Sequence, residues 1–367
     1  MIRSDDEGGR FTLTMLNWIR NWVEQIQTAQ SLVEWRTIRD RFHAKLDTSS
    51  FHLESLELTR CINEFHDAMI RRIAYWSIEQ VEQELAHSTP SEYAFVLFGS
   101  GGRCEQTPWS DQDNGIIYEL VDELKQVEVN AFFMRVAVVW SDGLCEVGYP
   151  PCVGNVICTN EQWCRSSLGW QQMIDSWWER CHWEDVRYLL ITADARVIAG
   201  NGAIWQRIRD AYLSRVQAKP ELLTAMLRNT LHHKISLGVF GHFLTERYGV
   251  DAGGIDLKYG GYIPIVNVIR LLAVRHGIGA SSTLERLDGL VQFYSQEQVN
   301  AWRETFLVML FWRSNTPFEI ENGVYTSSGK IKVNSLSSAN QKIIKKALRE
   351  GMQMQIFLRQ SLNYKNE

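Results

Sequence analysis

The 367-residue chain lacks most of the features that assign a protein quickly. No apolar run approaches the ~20 residues of a membrane span, so no spanning helix and no membrane partner are expected. The opening residues Ile2-Arg3-Ser4-Asp5-Asp6-Glu7 are polar and acidic where a secretion signal needs an apolar run. A cytoplasmic location is therefore expected. Gly-x-x-x-x-Gly-Lys-Ser/Thr does not occur, which excludes a P-loop. Charge of either sign is not in excess: the net charge is −5, so a nucleic-acid partner is not expected beyond what a local basic patch would attract. Internal repeats and low-complexity segments are missing too.

Cysteine is present but unpatterned. There are seven, an odd number, and six fall between Cys104 and Cys181 without a Cys-x-x-Cys pair. That spacing argues against structural zinc and for reduced, buried thiols. With 45% hydrophobic and 22% charged residues, the composition is that of a folded soluble protein, long enough for two domains.

Three stretches follow from periodicity. The first, residues 1–88, reads as an N-terminal helical segment. Leu58, Ile62, Phe65, Met69, Ile73 and Trp76 step by three or four as one apolar stripe, and Leu13 to Leu46 is similarly helical. His66-Asp67 within that stripe reads as ordinary helix surface. Pro90 disfavours helix at the residue before it and closes the segment. The second, 89–205, is mixed. Strand-like runs end at Gly99 and resume at Gly115, a helix is expected from Lys125 to Trp140, and Tyr188–Thr192 reads as a third strand. Trp163, Trp170 and Trp177 recur every seven residues as a helical face. The third, 206–367, is helical. It has a glycine-rich interruption at 253–261, a strong helix from Ile263 to Arg275 closed by Gly277, a polar loop near 316–328 and a basic helix from about Ser338 to Leu362. His232-His233 is expected on a helix surface or in a polar pocket. The fold class is thus α+β, a small mixed sheet with helices between two helical segments.

The chemistry concentrates between Phe95 and Tyr118, FVLFGSGGRCEQTPWSDQDNGIIY. Gly99-Ser100, after a strand, lets backbone N–H groups approach a phosphate without side-chain obstruction. Gly102 extends that freedom, and Arg103 offers a bidentate guanidinium. Asp111 and Asp113 are separated by one residue at the start of the next extended run, and residues two apart point to one face of a strand. Two convergent hard oxygen ligands suit Mg²⁺, which one or two carboxylates usually hold with substrate phosphates completing the shell.

A strand, Gly-Ser, Arg, and then Asp-x-Asp entering a second strand resembles the polymerase-beta-like nucleotidyltransferase superfamily. Gly99-Ser100, Gly102-Arg103, Glu105-Gln106 and Ser110-Asp111-Gln112-Asp113-Asn114 resemble the loop of the protein uridylyltransferases of nitrogen signalling. They are still more similar to a bacterial nucleotidyltransferase family often fused to CBS domains. Ile255-Asp256-Leu257-Lys258-Tyr259-Gly260-Gly261, then Pro264, Arg270, His276-Gly277 and Thr283–Leu287, resemble that family's C-terminal helical domain. The likeness spans roughly residues 50 to 315.

This resemblance implies a polymerase-beta-like nucleotidyltransferase head in 89–205 and a substrate-binding helical domain in 206–367. It implies transfer of a nucleoside monophosphate from an NTP to a protein or small-molecule hydroxyl, with diphosphate released. Asp111 and Asp113 would hold two Mg²⁺ ions, and Gly99, Ser100, Gly102 and Arg103 would cradle the triphosphate, with Lys258 reaching a phosphate. Asp194 is the implied third carboxylate, from its Asp-x-Arg step with Arg196, and Glu146 is the substitute. A regulatory, uridylyltransferase-like role would follow. Arg313-Ser314-Asn315 departs from the family's Arg-x-x-His-Gln, and no CBS or metal-hydrolase domain is expected within these 367 residues, so sensing and deuridylylation are not carried over. The competing reading is a catalytically silent nucleotide-binding signalling module. A third is an RNA-directed transferase using the basic helix that carries Lys342, Lys345, Lys346 and Arg349.

Overall fold

A computed structural model describes residues 5–48, 56–120 and 122–362. Its elements are mixed α and β, with helices at both ends as expected. Contacts divide the chain into two compact units: the described residues of Met1–Trp170, Arg196–Trp205 and Glu319–Thr326, and those of Gln171–Ala195, Gln206–Phe318 and Ser327–Glu367.

The first unit is built on α1 (Asp5–Thr28), α2 (Leu32–Thr48) and α3 (Leu56–Leu85), followed by strand β1 (Tyr93–Leu97), a single helical turn α4 (Gly99–Gly102) and β2 (Asn114–Tyr118). Helix α5 (Gln126–Glu146) and β3 (Cys164–Ser166) come next. The chain then leaves through α6 (Ser167–Arg180) and α7 (Trp183–Thr192) before returning in β4 (Arg196–Gly200). The four strands form one mixed sheet in the order β3-β2-β1-β4. β1 is antiparallel to both neighbours, with Leu97 opposite Asn114, and β2 is parallel to β3. β1 is paired along both edges, and Ala94 to Leu97, whose side chains alternate between its two faces, are all buried, so both faces are covered.

The stripe read from the sequence is what joins helices to sheet. Leu58, Ile62, Phe65, Met69 and Ile73 are buried in one cluster with Phe95, Leu97, Ile116 and Tyr118 of the strands and Phe132, Val136 and Trp140 of α5. Phe65 stacks face to face on Phe42 of α2 with ring centroids 3.7 Å apart. The helices before residue 88 and the sheet therefore share a single core. His66, expected at the surface, is fully buried, because its position four residues after Ile62 places it on the same inward face.

The second unit is helical: α8 (Gly202–Ala218), α9 (Glu221–Thr230), α10 (Ile263–Arg275), α11 (Thr283–Leu290), α12 (Gln296–Ser314) and α13 (Ser338–Ser361), with strand β5 (Gly254–Asp256). The hairpin β6 (Glu319–Glu321) and β7 (Val324–Thr326) belongs to the first unit, and β8 (Lys330–Lys332) pairs antiparallel with β5 in the second. Helix α10 has the bounds read from its pattern, and Gly277 closes it at φ +70°. No helix among the described residues is long and apolar enough to cross a membrane.

Five local expectations change. Tyr188–Thr192 is the last turn of α7, not a strand: a run of adjacent apolar residues carries no period, and Asp185 secures the helix start by accepting from the His182 N–H at 3.2 Å. Trp163 lies outside any helix, although Trp170 and Trp177 share α6. α5 continues six residues past Trp140, to Glu146. The polar loop near 316–328 contains the β6–β7 hairpin, turned by Asn322 and Gly323 at φ +50° and +82°. Finally, His232 and His233 lie in the turn following α9 rather than on a helix.

Truncating Phe65 to Ala removes a ring packed on all sides, so unfolding should become easier by about 3–5 kcal/mol. A denaturant titration followed by tryptophan fluorescence measures it; an unchanged midpoint would mean the helix–sheet core is not continuous there.

Candidate functional site

Strand β1 delivers the chain to Phe98, whose N–H donates to the Asp113 carbonyl at 2.9 Å. Gly99 follows at φ +51°, a left-handed conformation that favours glycine. A Cβ on Gly99 would overlap Asp113 Oδ2, so glycine is needed twice, for backbone conformation and for space. The turn closes through the N–H groups of Gly102 and Arg103, which donate to the carbonyls of Phe98 and Gly99 at 2.8 and 3.2 Å.

The segment from Asp111 alternates as an extended chain should. Gln112 and Asn114 are 3% and 1% exposed, while Asp111 and Asp113 are half-buried. Gln112 is fastened inside by three bonds: its N–H donates to the Pro150 carbonyl at 2.9 Å, and its Nε2 donates to the carbonyls of Ser141 and Tyr149 at 3.1 and 2.9 Å. Asn114 donates its N–H to Val156 and accepts from the Cys158 N–H through Oδ1 at 2.9 Å. Gln112 and Asn114 are thus anchored in the interior, and Asp111 and Asp113 alternate with them as the half-buried positions. A small pocket is lined by Asp111, Asp113, Gln106, Gln112, Asn114 and Tyr149, together with apolar neighbours.

That pocket fits a hard cation. Among the residues that line it, Gln106 Oε1 and Gln112 Oε1 are buried without a hydrogen-bond partner, as is Asn114 Nδ2. No cluster of three or more His, Cys, Asp or Glu side chains suited to a metal occurs among the described residues. The polar groups of the lining are carboxylates, amides and a phenol, with no imidazole. This set matches Mg²⁺, which keeps waters and takes phosphate oxygens, rather than zinc.

The other residues singled out from the sequence are distributed differently. Ser100 lies in the turn, where its carbonyl accepts from the Glu105 N–H at 2.9 Å. Arg103, expected to offer a bidentate guanidinium to phosphate, is 3% exposed and donates Nε to Glu105 at 2.8 Å. An equally buried carboxylate two residues along satisfies that charge, so Arg103 braces the loop from inside.

Asp194 does not have the surroundings of a metal ligand. It belongs to the second unit and is 1% exposed, and its oxygens accept from Arg270 Nε and Nη2 at 2.9 and 2.6 Å and from Arg286 Nη1 at 2.8 Å. Its sequence neighbour Arg196 pairs instead with Asp67. Lys258 also belongs to the second unit. It opens a wide helical turn, Lys258–Tyr262, with its Nζ 5.2 Å from the Tyr259 ring centroid. The glycines beside it are explained by packing: a Cβ on Gly260 would overlap Ser236, and one on Gly261 would overlap Met309. Glu146 ends α5 and does not line the pocket.

Three contributors escaped the sequence reading. Asn63 and His66 hold the loop from α3, and their signal was an inward position within the apolar stripe. Cys152 has no sequence signal. Burial, then the Asp113 carboxylate as neighbour and hydrogen-bond acceptor, then Asp111, push its thiol well above the ordinary range.

Residues 41–184 match the family model described as "Putative nucleotidyltransferase DUF294". Residues 220–362 match the one described as "Putative nucleotidyltransferase substrate binding domain". No curated protein matches the chain.

Two outcomes test this geometry. A raised thiol pKa means less thiolate at a given pH, so Cys152 should react with iodoacetamide at pH 8.5 more slowly than a free thiol. Asp113→Asn should speed that reaction while leaving it below the free-thiol rate, since burial remains; peptide mass spectrometry follows both, and an insensitive rate would separate Cys152 from Asp113. Gly99→Ala should displace the Asp113 side chain and give the same acceleration without loss of helical signal in circular dichroism.

Proposed function

The chain belongs to the DUF294 nucleotidyltransferase family, and from that premise and the oxygen-lined pocket we propose that it moves a nucleoside monophosphate from an NTP to a hydroxyl in a Mg²⁺-dependent reaction. The observation that carries this reading is that the half-buried Asp111 and Asp113 line one pocket, the second pressed against the Gly99 turn.

In this reading the two carboxylates are the protein's ligands for Mg²⁺. The metal, when bound, neutralises triphosphate charge and acidifies the attacking hydroxyl. Gly99, Ser100 and Gly102 let the triphosphate approach the backbone closely, and the glycine at 99 preserves room for the carboxylate beside it. Gln112 and Asn114 keep the carboxylates from rotating inward, so orientation is set before substrate arrives. Tyr149 walls the pocket, with burial raising its phenol to about 12, so it stays neutral and acts as a hydrogen-bond group rather than a base. The second unit contains most of the segment matched to a substrate-binding description, and we assign it the acceptor, a protein or small molecule. A regulatory, uridylyltransferase-like role follows the family likeness of the loop, and Lys258 is proposed as a phosphate contact on the same ground.

One observation favours a second reading. The pocket is lined by two carboxylates, and Asp194, the candidate third, is held between two arginines. A site lacking a third acid suits a module that binds nucleotide and signals without turnover.

Purified protein incubated with each labelled NTP, Mg²⁺ and a cell lysate decides between them. Transferase action predicts diphosphate release and label on an acceptor, both abolished in the Asp111→Ala, Asp113→Ala double variant with the fold intact. Tight NTP binding without diphosphate would establish the silent module, and unchanged turnover in the double variant would remove the mechanism.

A further inference from the structure

Helix α3 carries three polar side chains, Asn63, His66 and Asp67, on adjacent turns; Asn63 and His66 reach the loop between the Gly99 turn and Asp111, and Asp67 is linked to the turn itself through Arg196. Asn63 Oδ1 accepts from the Gln106 N–H at 2.8 Å, and its Nδ2 donates back to the Gln106 carbonyl at 3.4 Å. Asp67 accepts from both terminal nitrogens of Arg196 at 2.8 Å, and Arg196 Nη2 also donates to the Gly101 carbonyl at 2.8 Å. His66 lies between them, its Nε2 3.1 Å from the Thr107 carbonyl and its Nδ1 2.7 Å from the Tyr149 hydroxyl.

The chemistry of the two partners fixes the ring. A carbonyl oxygen only accepts, so Nε2 carries the proton; Nδ1 then accepts from the Tyr149 hydroxyl. Burial, with Arg39 nearby, pulls the imidazole down to about 3, which keeps it neutral at any working pH. His66 thus joins two walls of the pocket through one rigid ring. On one side is the loop that starts at Gly99, and on the other is Tyr149, whose carbonyl holds Gln112 between the two aspartates. Leucine or phenylalanine would fill the space but join neither wall.

Resting on the nucleotidyltransferase reading of the site, we propose that His66 is a positioning residue that sets the separation between the Gly99–Thr107 loop and the Asp111-Gln112-Asp113 segment. It touches neither nucleotide nor metal. Its effect passes through Thr107 on one side and through Tyr149 and Gln112 on the other. Asn63 and the Asp67–Arg196 pair hold the same loop at Gln106 and Gly101, so His66 acts at its far end, nearest the carboxylates in sequence.

The geometry separates two conservative variants. In His66→Gln the side-chain amide nitrogen reaches the place of Nε2 and can still donate to Thr107. In His66→Asn the amide oxygen takes the place of Nδ1 and accepts from Tyr149, but nothing reaches Thr107. With Mg²⁺ and the NTP that the parent uses, His66→Asn should lower kcat by about ten- to hundredfold, the range that a small misplacement costs. His66→Gln should stay within about threefold of the parent at a similar melting temperature. Amide hydrogen exchange over residues 99–107 should quicken in His66→Asn and stay near the parent rate in His66→Gln. The proposal is overturned if both variants lose activity in proportion to their melting temperatures, or if loop exchange is the same in both. If the parent itself releases no diphosphate, the nucleotidyltransferase reading fails, and the exchange comparison still decides whether His66 holds the loop.

Discussion

The side chain of Gln112 is the point from which the candidate site is organised. An amide inserted between two carboxylates would be free to turn outward in an isolated strand. Here its nitrogen is committed to the Ser141 and Tyr149 carbonyls and its backbone N–H to Pro150. These acceptors lie in α5 and in the stretch just after it, so the helix packed on the sheet dictates which face the aspartates occupy. Losing any one bond would leave a buried polar group unpaired, at a cost of about 1–3 kcal/mol, which makes the alternative rotation unfavourable. Gln112 also lines the pocket, and its Oε1 is buried without a hydrogen-bond partner, so one residue both anchors the segment and forms part of the lining.

Rigid supports surround that point. The Phe42–Phe65 stack and the apolar face of α3 tie helix to sheet, and polar residues on the same helix hold the glycine loop. If the proposed Mg²⁺ is held by these two carboxylates, so few charged ligands would gain little from ligand number, and binding would depend on preorganisation. Burying Arg103 against Glu105 serves the same end, because it stiffens the loop at the expense of a free cation.

Much of this was legible in the residues. The strand–glycine turn–strand order, the shared face of Asp111 and Asp113, and the bounds of α10 all follow from local rules of period and conformation. The surroundings of Arg103 and Asp194 were not legible, since each has a partner that no local rule names: Glu105 for one, Arg270 and Arg286 from distant sequence for the other. Tyr188–Thr192 misled because an unbroken apolar run suits a buried strand and a buried helix equally. The β6–β7 hairpin was legible, with Asn322-Gly323 as its signal, and went unread amid the polar residues around it. His66 stood in plain view within the stripe, and it was the inward phase of its position, rather than its chemistry, that had to be weighed.

The central claim is that Asp111 and Asp113 share a metal beside the Gly99 turn. A crystal structure with Mn²⁺ and a non-hydrolysable NTP analogue, read by anomalous scattering, tests it most directly. The account predicts a manganese peak about 2.0–2.3 Å from oxygens of both carboxylates, with triphosphate oxygens completing the shell against the turn. A peak bound to neither residue, or nucleotide seated away from Gly99, would contradict it.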